Sequence, residues 1–345
     1  MIHRESLREK MDRSPQDQIN NLICGYWSSQ CVYVAAKLAI ADLLADGPRS
    51  VDELAEHTSA HPQALFRVLR ALASLGVFAE GPSRHFSLTP AAEVLRSDVA
   101  GSKRALAIMM GEEYYRAWGD LLFSVRTGKP AFDEIFGQPL FEFLAQNAEQ
   151  AANFDKAMVG AHGRDASALM DAYDFSVFTK IVDVGGGNGS TLCAILDRHP
   201  DARGTLFDLP GVIARARPEV ENLGLSNRVD FVAGDFFQAA PPSGADAYVL
   251  RHIIHDWDDD RARQILRNVR RAMGPDGRLL LVDAVIPPGN EPCFAKLLDL
   301  TMLVSPGGEE RTAEEFAALL KTAGFRLNQI IPTATGDSIV EALPE

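Results

Sequence analysis

Ile181-Val-Asp-Val184 runs straight into Gly185-Gly-Gly-Asn-Gly-Ser190 and then into a helical pattern, and no other segment of the 345 residues constrains the fold as tightly. A short apolar strand that ends in a glycine turn and opens a helix is the nucleotide-handling unit of a doubly wound α/β sheet. Asp183, Gly185, Gly187 and Gly189 fall at alternate positions. The glycines let backbone pass close under a ligand where any side chain would collide. Without a ligand, the same residues would make a tight strand-to-helix turn.

A dinucleotide fingerprint wants glycine at the first, third and sixth positions of the turn, with the pyrophosphate on the helix N-terminus. Counted from Gly185, the sixth position here is Ser190. Asp183 would also repel a pyrophosphate, whereas it suits a ligand with an ammonium group, such as S-adenosylmethionine. The next strand-like run, Gly204 to Phe207, ends in Asp208, where a doubly wound fold puts the carboxylate that accepts ribose hydroxyls. A nicotinamide enzyme would want the same acid. The following run, Val229 to Val232, leads to Gly234-Asp-Phe-Phe237, a carboxylate for an exocyclic amine beside an aromatic face for a purine. Singly, Asp208 and Asp235 would read as helix caps or solvated acids. At consecutive strand ends, in the crevice where open sheets bind ligands, the ligand reading is preferred.

The fourth apolar run, Ala247 to Ile254, meets His255-Asp-Trp-Asp-Asp-Asp260 and a helix that begins near Arg261. Asp258, Asp259 and Asp260 sit where acids favour a helix N-terminus, and they are read as that. His252 is read as a hydrogen-bonded core histidine. His255, at a strand's carboxyl end, is the candidate for chemistry.

With these motifs in place, the chain resembles the S-adenosylmethionine-dependent O-methyltransferases of the plant caffeic-acid and acetylserotonin type and their bacterial natural-product relatives. The resemblance covers nearly the whole chain. It is carried by Val182-Asp-Val-Gly-Gly-Gly-Asn-Gly189, Asp208-Leu-Pro210, Gly234 to Phe237, Leu250-Arg-His-Ile-Ile-His-Asp-Trp257, Leu281-Val-Asp283 and Gly307-Gly-Glu-Glu-Arg-Thr312. It implies that Gly185, Asp208, Asp235, Phe236 and Arg251 hold the cofactor, and the reading of the loop adds Asp183 and Gly187. It implies His255 as general base, oriented by Asp283 and Glu310. Where the family often has lysine and glutamate, this chain has Arg251 and Asp283, which keep the charge while leaving Asp283 one methylene shorter. The resemblance also places Phe154 and Met158 beside a planar acceptor, with Met302 entering from the far side. In some bacterial relatives the base histidine is replaced and the outcome becomes decarboxylation or hydroxylation; its presence here favours methylation.

The chemistry of that set is coherent on its own terms. Methyl transfer from a sulfonium is an in-line displacement, and nothing in it requires a metal. A phenol of pKa about 10 is a poor nucleophile until its proton leaves, and a histidine near pKa about 6.5 can take that proton. A carboxylate on the other ring nitrogen fixes the tautomer. The expected activity is therefore O-methylation of a small phenolic secondary metabolite. N-methylation or a non-methylating reaction by a member of the same family is the alternative.

A rival class comes from the first hundred residues. Helical patterns over Cys31 to Leu44, Val51 to Thr58 and His61 to Leu75, followed by two short runs around Gly81-Pro-Ser83, resemble a winged helix and suggest a DNA-binding regulator. The third helix argues against it. Leu65, Phe66, Val68, Leu69, Leu72 and Leu75 cover most of its surface, which leaves chiefly Arg67 and Arg70 for a groove. A formal charge of −13 likewise disfavours nucleic acid and anionic membranes as partners. Three segments result: 1–103 as a winged-helix dimerisation domain, 104–174 as a helical linker contributing to the acceptor pocket, and 175–345 as a Rossmann-like, seven-stranded methyltransferase domain. The resemblance implies a homodimer. Cys24, Cys31, Cys193 and Cys293 form no Cys-x-x-Cys pair, so free thiols are expected. The polar start lacks the apolar core of a signal peptide, and no stretch is long enough to span a bilayer, which together suggest a cytoplasmic location.

Overall fold

The computed structural model describes residues 14–162 and 165–345. The chain divides into two compact units between Glu112 and Glu113. In the first, helices Gly25–Lys37, Ile40–Leu43, Val51–Thr58 and Pro62–Ser74 pack with a small antiparallel sheet. Its strands are β1 (Arg49–Ser50), β2 (Phe78–Glu80) and β3 (His85–Leu88), in the order β1-β3-β2. The β2–β3 hairpin is the wing. Helix Val51–Thr58 starts on a capping box, with Ser50 Oγ accepting from Glu53 N and the Glu53 carboxylate accepting from Ser50 N at 2.8 Å. Leu65, Phe66, Leu69 and Leu72 recur at helical spacing and are buried against Ile40, Leu54, Phe78 and Phe86. The expected stripe stops there: Leu75 caps the helix and is 57% exposed. The helix expected over Cys31 to Leu44 is also broken, because Ala39 takes a left-handed φ of 53°. That break turns Ile40 and Leu44 into the core.

The second unit is built on a seven-stranded sheet. Its strands are β4 (Lys180–Val184), β5 (Arg203–Asp208), β6 (Val229–Ala233), β7 (Ala247–Arg251), β8 (Arg278–Ala284), β9 (Phe325–Pro332) and β10 (Asp337–Pro344). They lie in the order β6-β5-β4-β7-β8-β10-β9, with β10 alone antiparallel to its neighbours. Both faces are covered. Ile181, Leu206, Val249, Leu280 and Val282 pack under helix Ser190–Arg198 on one side. Val182, Phe207, Tyr248, Leu279 and Leu281 pack under helices Asp259–Ala272 and Ala313–Thr322 on the other. Two covered faces explain why Leu279-Leu-Leu-Val282 is apolar without alternation. The strand order reverses between β4 and β7, and such a switch point opens a crevice at the carboxyl ends of the strands. All four cysteines are free thiols. Among the described residues, no helix is long and apolar enough to cross a membrane.

Candidate active site

The turn after β4 forms one wall of the crevice. Gly185, Gly187 and Gly189 have φ of 71°, 59° and 81°, conformations that L side chains rarely adopt. Gly185 N donates to Phe207 O of β5 at 2.7 Å, and Gly187 N donates to Asp208 Oδ2 at 2.9 Å. The glycine loop is thus tied to the acid at the end of the next strand. Leu209 N also donates to Asp208, at 2.7 Å. Burial outweighs these two donors and pushes the Asp208 carboxyl up to about 6. Asp183 lies beneath the loop, 1% exposed. Burial and the nearby Asp208 push it up to about 7, against Arg251 and the Leu192 backbone. A β-carbon on Gly185 would touch Phe236 at 3.4 Å, which puts that ring against the loop. Asp235 caps its own turn, accepting from Phe237 N at 2.8 Å and from Gln238 Nε2 at 2.9 Å. Arg251 Nη1 donates to Thr191 Oγ1 at 3.2 Å, across to the helix that the loop opens.

The turn after the neighbouring strand β7 carries the histidine. The apolar run expected to continue through Ile254 ends as a strand at Arg251, because His252 takes a φ of 53°. A 3₁₀ turn, Ile254–Asp256, then presents His255, which is 7% exposed. Its Nδ1 donates to Glu310 Oε1 at 2.7 Å. Asp283 Oδ1 is further off, 3.8 Å from Nδ1, and Asp256 Oδ1 lies 3.7 Å from Nε2. Burial opposes a charge on the imidazole, but the carboxylates of Asp283, Glu310 and Asp256 outweigh it and push His255 up to about 10. Burial also drives Asp283 well above the usual carboxylate range, only partly offset by His255. Of the two expected orienting acids, Glu310 therefore makes the contact. The shorter Asp283, at 0% exposure, stands behind it.

The loop that carries Glu310 is stitched to the histidine turn by groups that the sequence reading passed over. Glu309 N donates to His255 O at 2.9 Å, and Glu310 N to Asp299 Oδ1 at 2.9 Å. Gly308 lies so close to the backbone of His255, Asp256 and Trp257 that a β-carbon would overlap it. Arg311, 1% exposed, donates to the carbonyls of Ile254 and Trp257 at 3.2 and 3.0 Å and to Asp259 Oδ1 at 3.0 Å. The only sequence signal for these two was their place in Gly307-Gly-Glu-Glu-Arg-Thr312. Asp258 caps helix Asp259–Ala272 as expected, accepting from Arg261 N at 2.9 Å.

A chain of aromatic contacts joins Phe154 to Phe236. Phe154, on helix Ala148–His162, meets Phe141 edge-on at 6.3 Å, and Phe141 lies 5.4 Å from the Trp257 ring. Trp257 in turn packs edge-on against Phe237 and Phe236 at 4.7 and 6.2 Å. Asp155 of the same helix accepts from Arg215 at 2.6 Å, tying it to the helix that follows Asp208. Met158 is one turn beyond Phe154 and half-buried. Met302 is buried on helix Ala295–Val304, and its carbonyl accepts from Gly307 N at 2.8 Å. His252, His255 and Asp283 bring ligand-type atoms within 4.8 Å of one another.

A family model described as an O-methyltransferase domain matches residues 118–326, and one described as an O-methyltransferase dimerisation domain matches residues 20–98. The phenazine O-methyltransferase of Lysobacter antibioticus is 50% identical over 323 residues, 94% of each chain. The 8-amino-8-demethylriboflavin N,N-dimethyltransferase of Streptomyces davaonensis is 41% identical over 90% of each chain. Human N-acetylserotonin methyltransferase, solved with S-adenosylmethionine, matches with a TM-score of 0.89 at 28% identity, over 96% of this chain and 99% of that one.

Proposed function

Because the chain belongs to the O-methyltransferase family that carries its own dimerisation domain, and is an S-adenosylmethionine-dependent methyltransferase of natural products, we propose that it methylates a hydroxyl of a small phenolic acceptor with His255 as general base. The observation that supports this most is the buried Nδ1 contact to Glu310 at 2.7 Å, on a turn beside the glycine crevice.

The crevice fits the cofactor. Nothing lies within 4 Å of where a β-carbon on Gly187 would stand, so its backbone is open to a ligand. Asp183, Asp208 and Asp235 are acids suited to an ammonium group, a ribose diol and an exocyclic amine, and Phe236 offers a face to a purine. We assign cofactor contacts to these residues together with Gly185, Gly187 and Arg251. When bound, S-adenosylmethionine supplies a methyl group on a sulfonium. The chain's own task is to hold the acceptor oxygen in line with it and to remove the proton. Donation of Nδ1–H to Glu310 leaves Nε2 as the acceptor nitrogen. The surrounding carboxylates raise the basicity of His255 above that of an ordinary histidine, which favours its taking the proton of a weakly acidic phenol. We read the His252, His255 and Asp283 cluster as one that handles protons, since each imidazole faces its own carboxylate: His255 lies 2.7 Å from Glu310 and His252 3.2 Å from Asp337. Phe154, Met158 and Met302 are assigned to the acceptor, because a flat aromatic ring suits an aromatic wall and mouldable methionines.

Transfer of isotope from labelled S-adenosylmethionine to a phenolic oxygen tests the reaction. Label on nitrogen would instead place the chain with N-methylating relatives. The pH profile is a further expectation. His255 accepts a proton only in its neutral form, so kcat/KM falls as pH drops through its raised pKa. The acidic limb is expected well above pH 6.5, the ordinary histidine value of about 6.5. Glu310→Gln removes the anion from Nδ1 and is expected to move that limb downward; an unmoved limb would detach Glu310 from the base.

The dimerisation domain implies a homodimer. Helix Pro15–Ile23 buries none of its residues, and Ile19, Leu22, Ile23, Tyr26 and Trp27 are each more than half exposed. An apolar face of that size suits a second copy of the chain. Sedimentation is expected to give twice the 37.6 kDa chain mass, and Leu22→Asp with Trp27→Glu to shift it toward the monomer.

A further inference from the structure

The end of β7 takes up a conformation that needs a cause. His252, between Arg251 and the turn carrying His255, sits in the left-handed region, which disfavours residues with a β-carbon. Its amide is held by Val282 O of β8 at 3.0 Å. Its ring reaches further across the sheet, to β10, where Nε2 is 3.2 Å from Asp337 Oδ2. Arg251 Nη2 lies 3.9 Å from the same oxygen. The three side chains are 7%, 12% and 14% exposed for Arg251, His252 and Asp337. Asp337 is the first residue of the antiparallel strand, opposite Ala284, and its neighbour Ser338 is opposite Asp283. The β9–β10 hairpin does not draw on its carboxylate. Thr333 N and Oγ1 both donate to the Asp337 carbonyl, each at 2.9 Å, so the backbone serves the hairpin while the side chain serves β7.

We propose that Asp337 is a positioning residue for methyl transfer: from β10 it clamps His252 and Arg251, and so sets the turn that aims Arg251 at the cofactor crevice and His255 at the acceptor. The proposal rests on Arg251 as a cofactor contact. A carboxylate suits this place because a buried guanidinium favours an anion nearby, and a single Asp337 oxygen lies close to both side chains. Burial works against a charge on Asp337, but His252 and Arg251 outweigh it and hold the carboxyl below its ordinary range.

A double-mutant cycle tests the clamp, with S-adenosylhomocysteine affinity read by calorimetry and turnover read on a phenol that the parent enzyme methylates. Asp337→Asn is expected to weaken the nucleoside about tenfold and to lower kcat, because residues in one network couple by that order. Combined with Arg251→Met, it should add less than about twofold to the loss caused by Arg251→Met alone. Asp337→Glu, which keeps the charge, should recover most of the affinity. The clamp is refuted if Asp337→Asn matches the parent in both readouts, or if the two losses simply multiply. If Arg251→Met itself binds the nucleoside like the parent, the cofactor role of Arg251 fails, and a lowered kcat in Asp337→Asn alone decides the clamp. Should Asp337→Asn not fold, His252→Asn replaces it, since asparagine tolerates a left-handed φ but reaches less far; unchanged kcat there would equally refute the clamp.

Discussion

His255→Ala is expected to turn over about 10²- to 10⁴-fold more slowly than the parent, the usual worth of a positioned general base, while binding S-adenosylhomocysteine as tightly. The split follows from the geometry. His255 stands on the turn after β7 with its Nδ1 on Glu310, whereas the glycine loop and Asp208 are tied to each other by bonds that do not involve it. The loss should shrink at alkaline pH, where the phenol, with pKa about 10, sheds its proton unaided. His255→Gln keeps much of the shape and should be equally slow, which separates a missing base from a missing side chain. Calorimetry together with single-turnover rates at several pH values checks both halves. Parent-like turnover with intact affinity would remove His255 as the base.

Gly308→Ala is expected to cost about 100-fold in kcat, because a misplacement of roughly 1 Å at the reacting groups carries that penalty. A methyl group there has nowhere to go. It would overlap the backbone of His255, Asp256 and Trp257, so either the base or the loop bearing Glu310 must move. Overpacking of this kind should also lower stability by about 1–3 kcal/mol. Gly274→Ala is the matched control, with open space around its β-carbon and no left-handed φ. It should leave kcat and melting temperature unchanged. Equal behaviour of the two variants would show that the two backbones do not meet as described.

Much of the crevice at the strand ends was legible in the chain because its signals are local. Val182 to Gly189 couples an apolar strand to glycines whose left-handed φ values no other residue takes as easily. Asp208 and Asp235 could be placed at strand ends by counting apolar runs, and the paired acids beside His255 came from the family resemblance. The departures arose where local pattern meets a neighbour. Leu75 looked like part of the buried stripe but lies past the helix end, and the break at Ala39 bears no glycine or proline to announce it.

What the linear order of residues determined by itself was the alternation of strands and helices, the glycine turn and the identity of the acids and the imidazole, because periodicity and backbone freedom act within a few residues. What only the folded sheet decided was which of those groups meet. Gly308 against His255, Arg311 across the carbonyls of Ile254 and Trp257, and Asp337 beside His252 are separated along the chain by an intervening strand or more. Asp337 meets His252 because β10 enters antiparallel beside β8, while the loop of Gly308 and Arg311 meets the histidine turn through the Glu309–His255 backbone bond and the bridge from Arg311 to Val285 after β8. Contacts of that kind depend on register and distance in space, which residue spacing does not encode.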